Sequence, residues 1–288
     1  MICLGLHFPI ARWFRYILSC ITVFHLLRQL YGGAQLKCKA LIAGLTVLFA
    51  MTASAQPEEL LVAVAANFSS TLERIAQRFE RQTGHQLTLV NGATGRHYAQ
   101  IVNGAPYDLF FAADAEATRL LEEEGRAVAA TRVVYARGRL ALWSRQAEFV
   151  DKDGQVLKEG QFRRLAIANP RLAPYGEAAV DVLNALELFD AMEERLVRGE
   201  NIAQTYQFAD SGNAELAFVA YSQVLEAGLS GSYWLVPANL HRPLLQEAVL
   251  LKESDAGRAF LAFIMQDEAQ TLIGNNGYVS TTSADSTD

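Results

Sequence analysis

A two-lobed α/β fold is what the sequence predicts, and three observations predict it. Short apolar runs alternate with amphipathic stretches from Leu60 to Tyr278, the pattern of parallel sheets with helices on both faces. The 288 residues exceed what one core ordinarily holds, and no long linker divides them, so two such lobes are expected. Several apolar runs end in Gly, Asn, Ser or Thr where a helix is about to begin. In open α/β sheets that boundary, at the C-terminal ends of the strands, is where ligands bind.

Leu60–Ala66 reads as the first strand. Ser70 and Glu73 have the spacing of a capping box, and Leu72, Ile75, Ala76 and Phe79 lie on one helical face that Thr83-Gly84 ends. His85–Val90 is a second strand. A Gly-rich turn, a helix through Ile101-Val102 and a stop at Asn103-Gly104 follow, then a strand over Leu109–Ala113. Asp114 stands where it would cap the helix that ends at Glu124-Gly125. Further strands are expected at Gly138–Ser144, at "RLAIANP", at "LAFVA" and at Glu247–Leu251. Helices are expected after Pro174 and in the two segments flanking "LAFVA". "QAEFVDKDGQVLKEGQF" reads as a loop or hairpin, "AGRAFLAFIMQDEAQTLIGNNGY" as one C-terminal amphipathic helix, and "STTSADSTD" as a disordered tail.

Composition narrows the function. With 51% hydrophobic and 19% charged residues the chain is of ordinary globular type. Its net charge is −6, yet residues 1–55 carry Arg12, Arg15, Arg28, Lys37 and Lys39 and no acid. The body is therefore more acidic than the whole, which argues against nucleic acid as a partner. Cys3, Cys20 and Cys38 are the only cysteines, so nothing later in the chain can form a disulfide or act as a thiol nucleophile. Lys37 and Lys39, the apolar run Ala40–Met51 and Ala53-Ser54-Ala55 make a secretory signal with cleavage after Ala55. The run is too short for a comfortable membrane span. Residues 1–35 are apolar but broken by charge, and they read as a start site placed too far upstream, with a second membrane anchor as the lesser reading.

Four loops share a helix start after an apolar strand: "AANFSS" (Ala65–Ser70), "NGATGR" (Asn91–Arg96), "APYGEA" (Ala173–Ala178) and "ENIAQT" (Glu200–Thr205). Helix N-termini carry unpaired N–H groups and partial positive charge. Several converging on one point would make an anion site without Lys or Arg. Each loop alone also has a plain reading. Asn67 and Ser69 can be caps, "NGATG" a tight turn without the ending of a P-loop, Tyr175 a packing aromatic, and Ile202 a core residue. A hydrolase is disfavoured: after the leader only His85, His97 and His241 remain, with no Cys and no G-x-S-x-G. No His or Cys cluster suggests a metal site.

From about Leu61 to Tyr278 the sequence resembles the periplasmic molybdate-binding proteins of ABC transporters. The likeness rests on "VAVAANFSSTLERIAQRFERQTGH", "GATGRHYAQIVNGAPYDLFFAAD", "LAIANPRLAPYG", "LVRGENIAQTYQFADSGNAELAFVA" and "WLVPANLHRPLLQEAVLL". The resemblance implies a type II periplasmic binding protein of two mainly parallel lobes, with an oxyanion held in the cleft. It also implies a monomer with no cofactor and no catalysed reaction, handing molybdate or tungstate to a membrane permease. By match to the family pattern, Asn67, Thr94, Tyr175 and Ile202 would hold the oxyanion. Ala66 is the neighbouring position, where some relatives carry Thr. Ala220 stands where others carry Tyr, with Tyr221 one residue later. Arg96 and His97 follow Thr94 and are expected to be solvated. Residues 1–55 are then leader, 56–140 and 240–288 a discontinuous first lobe, and 141–239 the second, with hinges near Gly138–Leu142 and Pro237–Arg242. Sulfate or phosphate in the same fold is the nearest alternative.

Overall fold

The computed structural model describes residues 56–281, and those from Pro57 onward form one compact unit. The leader, its cleavage site and the tail from 282 onward lie outside the described residues. Eleven strands among the described residues form two sheets.

The first sheet holds β1 (Glu59–Ala65), β2 (Gln86–Gly92), β3 (Leu109–Ala112), β4 (Val133–Arg137), β10 (Leu245–Leu250) and β11 (Val279–Ser280), in the order β11-β4-β10-β3-β1-β2. The second holds β5 (Leu140–Ser144), β6 (Leu165–Ala168), β7 (Leu196–Gly199), β8 (Leu216–Ala220) and β9 (Ser232–Leu235), in the order β7-β6-β8-β5-β9. The chain passes from the first sheet to the second over Gly138 and Arg139 and returns between β9 and β10. Residues 140–142, expected in a hinge, are already inside β5, so the first crossing is only two residues long.

Both sheets are mixed. Parallel pairing joins β1 to β2 and β3, and β6 to β7 and β8. The pairs made by β4, β5 and β10 with β11, β8, β9 and β3, and by β4 with β10, are antiparallel. Parallel neighbours need a helical crossover over the same sheet; strands that arrive from the other sheet are free of that rule.

Alternation along each strand sorts side chains onto two packed faces. In the first sheet Leu60, Val62 and Val64 join Leu109 and Phe111 on the face covered by α1 (Ser69–Thr83), α9 (Asp255–Ile264) and α10 (Asp267–Asn275). Ala63, Phe110, Ala112 and Val249 turn to the face covered by α2 (Thr94–Val102) and α3 (Glu116–Glu123). In the second sheet Leu140, Leu142, Leu165 and Phe218 face α5 (Pro174–Ala185), and Ala141, Trp143 and Ala217 face α7 (Ile202–Asp210) and α8 (Tyr221–Glu226). With both faces covered, β3, β5, β6 and β8 are buried at every residue. That explains why they read as unbroken apolar runs rather than alternating ones.

Three local expectations change. The turn-rich stretch after β5 contains a short helix, α4 (Val156–Glu159), rather than a hairpin; Asp151 carboxylate oxygens accept the N–H groups of Asp153, Gln155 and Val156 and nucleate it. The C-terminal helix is two, α9 and α10, broken at Met265-Gln266. The buried Gln270 makes the break tolerable by donating to Ile264 O (2.9 Å) and Tyr135 O (3.1 Å). Ser70 and Glu73 form no capping box: α1 starts at Ser69 after Phe68 and has no side-chain cap. A further short helix, α6 (Phe189–Met192), follows α5.

One ion pair between the buried Glu247 and the half-buried Arg132 ties the first sheet to α3. Glu247, 3% exposed, accepts from Thr118 Oγ1 (2.7 Å) and from Arg132, which also reaches Glu122 (3.3 Å). Removing one partner of such a pair strands the other charge. Arg132→Ala should therefore lower unfolding free energy by about 3 kcal/mol, read from urea denaturation. Adding Glu247→Gln should recover part of the loss, because the stranded carboxylate is then neutral.

Candidate functional site

The two sheets leave a small cleft between them that is partly open to solvent. Its walls come from Ala65–Asn67 after β1, Gly92–Thr94 after β2, Ala113 after β3, Ala173–Tyr175 at the start of α5, and Asn201 with Ile202 at the start of α7. All five positions marked by the sequence, Ala66, Asn67, Thr94, Tyr175 and Ile202, line this one cleft. No Asp, Glu, Lys, Arg or His is among its lining residues.

What these walls offer is hydrogen-bond donors. Helices α1, α2 and α5 begin at the cleft after Phe68, Ala93 and Ala173, and none of the three has a side-chain cap. Away from the cleft, α9 is capped in the ordinary way: Ser254 Oγ accepts from Gly257 N at 3.0 Å. At α7 Asn201 Oδ1 takes only the N–H of Gln204 (2.9 Å). The N–H groups of Asn67, Tyr175 and Ile202 make no hydrogen bond among the described residues. Uncapped helix starts carry orphan donors and the positive end of the helix dipole, so three helices turn their positive ends to the cleft without a cation in its lining.

Two side chains add hydroxyls. Thr94, 1% exposed, accepts the Ala113 N–H on Oγ1 at 3.0 Å. One lone pair is thereby engaged, and its proton is left to donate. Tyr175 is buried, and its hydroxyl has no hydrogen-bond partner among the described residues. Burial pushes that hydroxyl well above the ordinary tyrosine pKa, Tyr278 adding to the rise and the nearby Asn67 amide opposing it. The group is therefore a neutral donor throughout the physiological range.

Asn67 plays a different part from the one its position suggested. Its side-chain Nδ2 donates to Gln246 Oε1 (2.7 Å) and Tyr278 Oη (3.2 Å), so both amide hydrogens are engaged. Its carbonyl accepts from Tyr278 Oη (2.6 Å) and Ser222 Oγ (3.2 Å). The side chain is a strut, and the backbone N–H is left unpaired at the cleft. Ala66 contributes wall: its N–H is taken by Gly92 O at 2.8 Å. The strut residues Gln246, Ser222 and Tyr278 gave no local sequence signal, because they come from β10, α8 and the C-terminal turn and meet only in three dimensions.

At the rim, Arg96 is exposed and pairs with Glu200 across the cleft (3.2 Å), and Gly95 N–H donates to Leu172 O (2.8 Å). His97 is not solvated as expected. It is 2% exposed, with Nε2 3.2 Å from Val64 O, and burial lowers its pKa. Its helix face turns into the first sheet because Ile101, one turn on, is also core. Tyr221 lies outside the cleft, against Tyr233 (5.7 Å between rings) and beneath Arg139. Among the described residues no group of three His, Cys, Asp or Glu could hold a metal ion, and no helix is long and apolar enough to cross a membrane.

Two lobes around a neutral, donor-lined cleft define a periplasmic-binding-protein fold built to enclose a small anion-sized solute. The chain belongs to the family of bacterial extracellular solute-binding proteins, whose model matches residues 60–279. It is 46% identical over 233 residues to the molybdate-binding protein ModA of Azotobacter vinelandii, covering 79% of this chain and 92% of that one. It is 42% identical over 248 residues to ModA of Rhodobacter capsulatus, covering 84% and 98%. The solved Azotobacter vinelandii periplasmic molybdate-binding protein superposes with a TM-score of 0.74 at 40% identity, over 76% of this chain and 98% of that one.

Next to Ala113, Asp114 accepts from Ala117 N (2.7 Å), yet burial, reinforced by the Glu177 carboxylate, raises its pKa to about 6. A carboxyl with a folded pKa above its unfolded one favours the native state most while protonated. Its contribution is therefore lost as pH rises from about 4 to about 6. Asp114→Asn keeps the acceptor and removes the charge. Thermal melts should show the variant gaining on the parent between pH 4.5 and 7, by at most about 2–3 kcal/mol; parallel pH profiles would refute the shift.

Proposed function

We propose that this protein is an exported, periplasmic carrier that captures molybdate, and tungstate with it, and hands it to the membrane permease of an ABC transporter. The oxyanion is cargo; no reaction and no cofactor is involved, and the carrier works as a monomer. One observation carries the reading: the donors at Asn67, Thr94, Tyr175 and Ile202 converge on one cleft, in a chain 46% identical to a molybdate-binding protein.

The physics supports an anion held by neutral groups. A dianion in this cleft meets the ends of four helices and two hydroxyls, each bond charge-assisted and therefore stronger than a neutral one. No Lys or Arg needs desolvating, and no acid lines the wall to repel the ligand. The residues at 138–139 and 236–244 join the sheets, and bending there closes the lobes on the anion. The first lobe, residues 56–137 with 245–281, then moves against the second, 140–235. Molybdate and tungstate are tetrahedral dianions of nearly equal size, so one set of donors serves both; sulfate is smaller, and donors spaced for molybdate would hold it less closely.

Titration calorimetry of residues 56–288 with molybdate, tungstate, sulfate and phosphate tests the assignment. Strong binding of the first two and weak binding of the others is expected; tight sulfate or phosphate binding with no molybdate response would overturn it. Tyr175→Phe deletes a bond to a charged group worth roughly 1.5–3 kcal/mol, so affinity should fall about ten- to a hundredfold. Stability without ligand should not drop, since the lost hydroxyl has no partner to lose. Arg96 forms only an exposed pair, worth about 0–1 kcal/mol, so Arg96→Ala should weaken binding by less than about fivefold. A loss of several hundredfold there would place a cation on the ligand.

A further inference from the structure

We infer that Gly138, in the crossing between the two sheets, is a positioning residue that keeps the Tyr175 hydroxyl in place for the bound oxyanion. This rests on the reading of Tyr175 as a ligand group.

Gly138 follows β4 directly, and its N–H donates to Leu244 O at 2.8 Å, which ties one crossing segment to the other. Its backbone is not in the left-handed region, so conformation alone does not demand glycine. Space does. A Cβ built at Gly138 would stand 2.2 Å from Tyr175 Oη and 3.0 Å from Tyr175 Cζ and Gln246 Nε2. The first distance is impossible for real atoms, so an alanine would have to displace the phenol.

The phenol has nowhere to retreat without leaving the site. Tyr175 is 2% exposed, on the first turn of α5, and packed in the core of the second lobe. Gln246, on the other side, is fully buried. Its Oε1 accepts from Asn67, and its Nε2 donates to Leu244 O (3.1 Å) and Ala113 O (3.4 Å). The missing side chain of Gly138 thus makes the slot into which an otherwise unpartnered hydroxyl fits.

A double-mutant cycle with sodium molybdate reads this directly, using residues 56–288, calorimetry and melts without ligand. Gly138→Ala should reduce affinity at least tenfold and lower the melting temperature. In the Tyr175→Phe background the colliding oxygen is gone. There the tighter contact is relieved while those to Cζ and Gln246 Nε2 at 3.0 Å remain, so the same substitution should cost at least threefold less affinity than in the parent and should recover part of the lost melting temperature. Equal losses in both backgrounds would mean that glycine serves the crossing itself or Gln246, and would overturn the inference. If Gly138→Ala does not fold, the double variant decides: folding rescued by Tyr175→Phe supports the slot, and failure to rescue overturns it. If Tyr175→Phe alone leaves affinity unchanged, the ligand role of the hydroxyl fails, and the positioning role fails with it. Recovery of the melting temperature would then report the contact as packing only.

Discussion

Helix ends that face the cleft without caps are the constraint on which the rest depends. A helix start leaves N–H groups unpaired, and proteins ordinarily answer them with a Ser, Thr, Asp or Asn side chain. Here α1, α2 and α5 begin after Phe68, Ala93 and Ala173, residues that cannot answer. The donors therefore remain available, aimed at one small volume. Everything else about the site follows from keeping them there: apolar anchors to fix the helices, small residues to let the backbone approach, and an absence of carboxylates in the wall.

Phe68 shows how the fold sustains that arrangement. It is fully buried against Tyr135 (4.5 Å between ring centroids) and edge-on to Tyr278 (5.3 Å). Burying an aromatic side chain fixes the loop far more firmly than a cap hydrogen bond would. Tyr278 then uses its hydroxyl on Asn67 O, where Ser222 from the second lobe joins it. The first loop is thus held by packing from below and by a buried polar knot drawn from both lobes. Fully satisfied buried networks of this kind specify a single geometry, which a site of fixed donors requires.

Much of this was legible in the chain. The fully buried strands β3, β5, β6 and β8 announced themselves as apolar runs, and Gly84 ended α1 as expected, with a positive φ of 80°. Strands β4, β7, β9 and β11 carry no clear signal in the chain, because they are short and their partners come from distant segments; Ser280, read with the disordered tail, ends β11. The split between α9 and α10 was invisible because periodicity continues through it, while Gln270 repairs the break by a contact outside the helix pattern. At the site, Asn67, Thr94, Tyr175 and Ile202 were found through the likeness of their flanking phrases to a family pattern; helix periodicity alone would have put Ile202 in the core. The direction of each side chain was not legible. The engagement of Asn67 with Gln246 depends on a residue 179 positions away. The burial of His97 depends on the rotation of α2 about its axis.

The central claim is that a tetrahedral oxyanion is held in this cleft by neutral donors alone. A crystal structure of residues 56–288 grown with molybdate, with the molybdenum located by its anomalous signal, tests that most directly. The metal centre should lie between the starts of α1, α2, α5 and α7, with its oxygens within hydrogen-bond distance of Thr94 Oγ1, Tyr175 Oη and the N–H groups at Asn67, Tyr175 and Ile202. An anomalous peak elsewhere, or an oxyanion in the cleft coordinated by an Arg or Lys side chain, would contradict it.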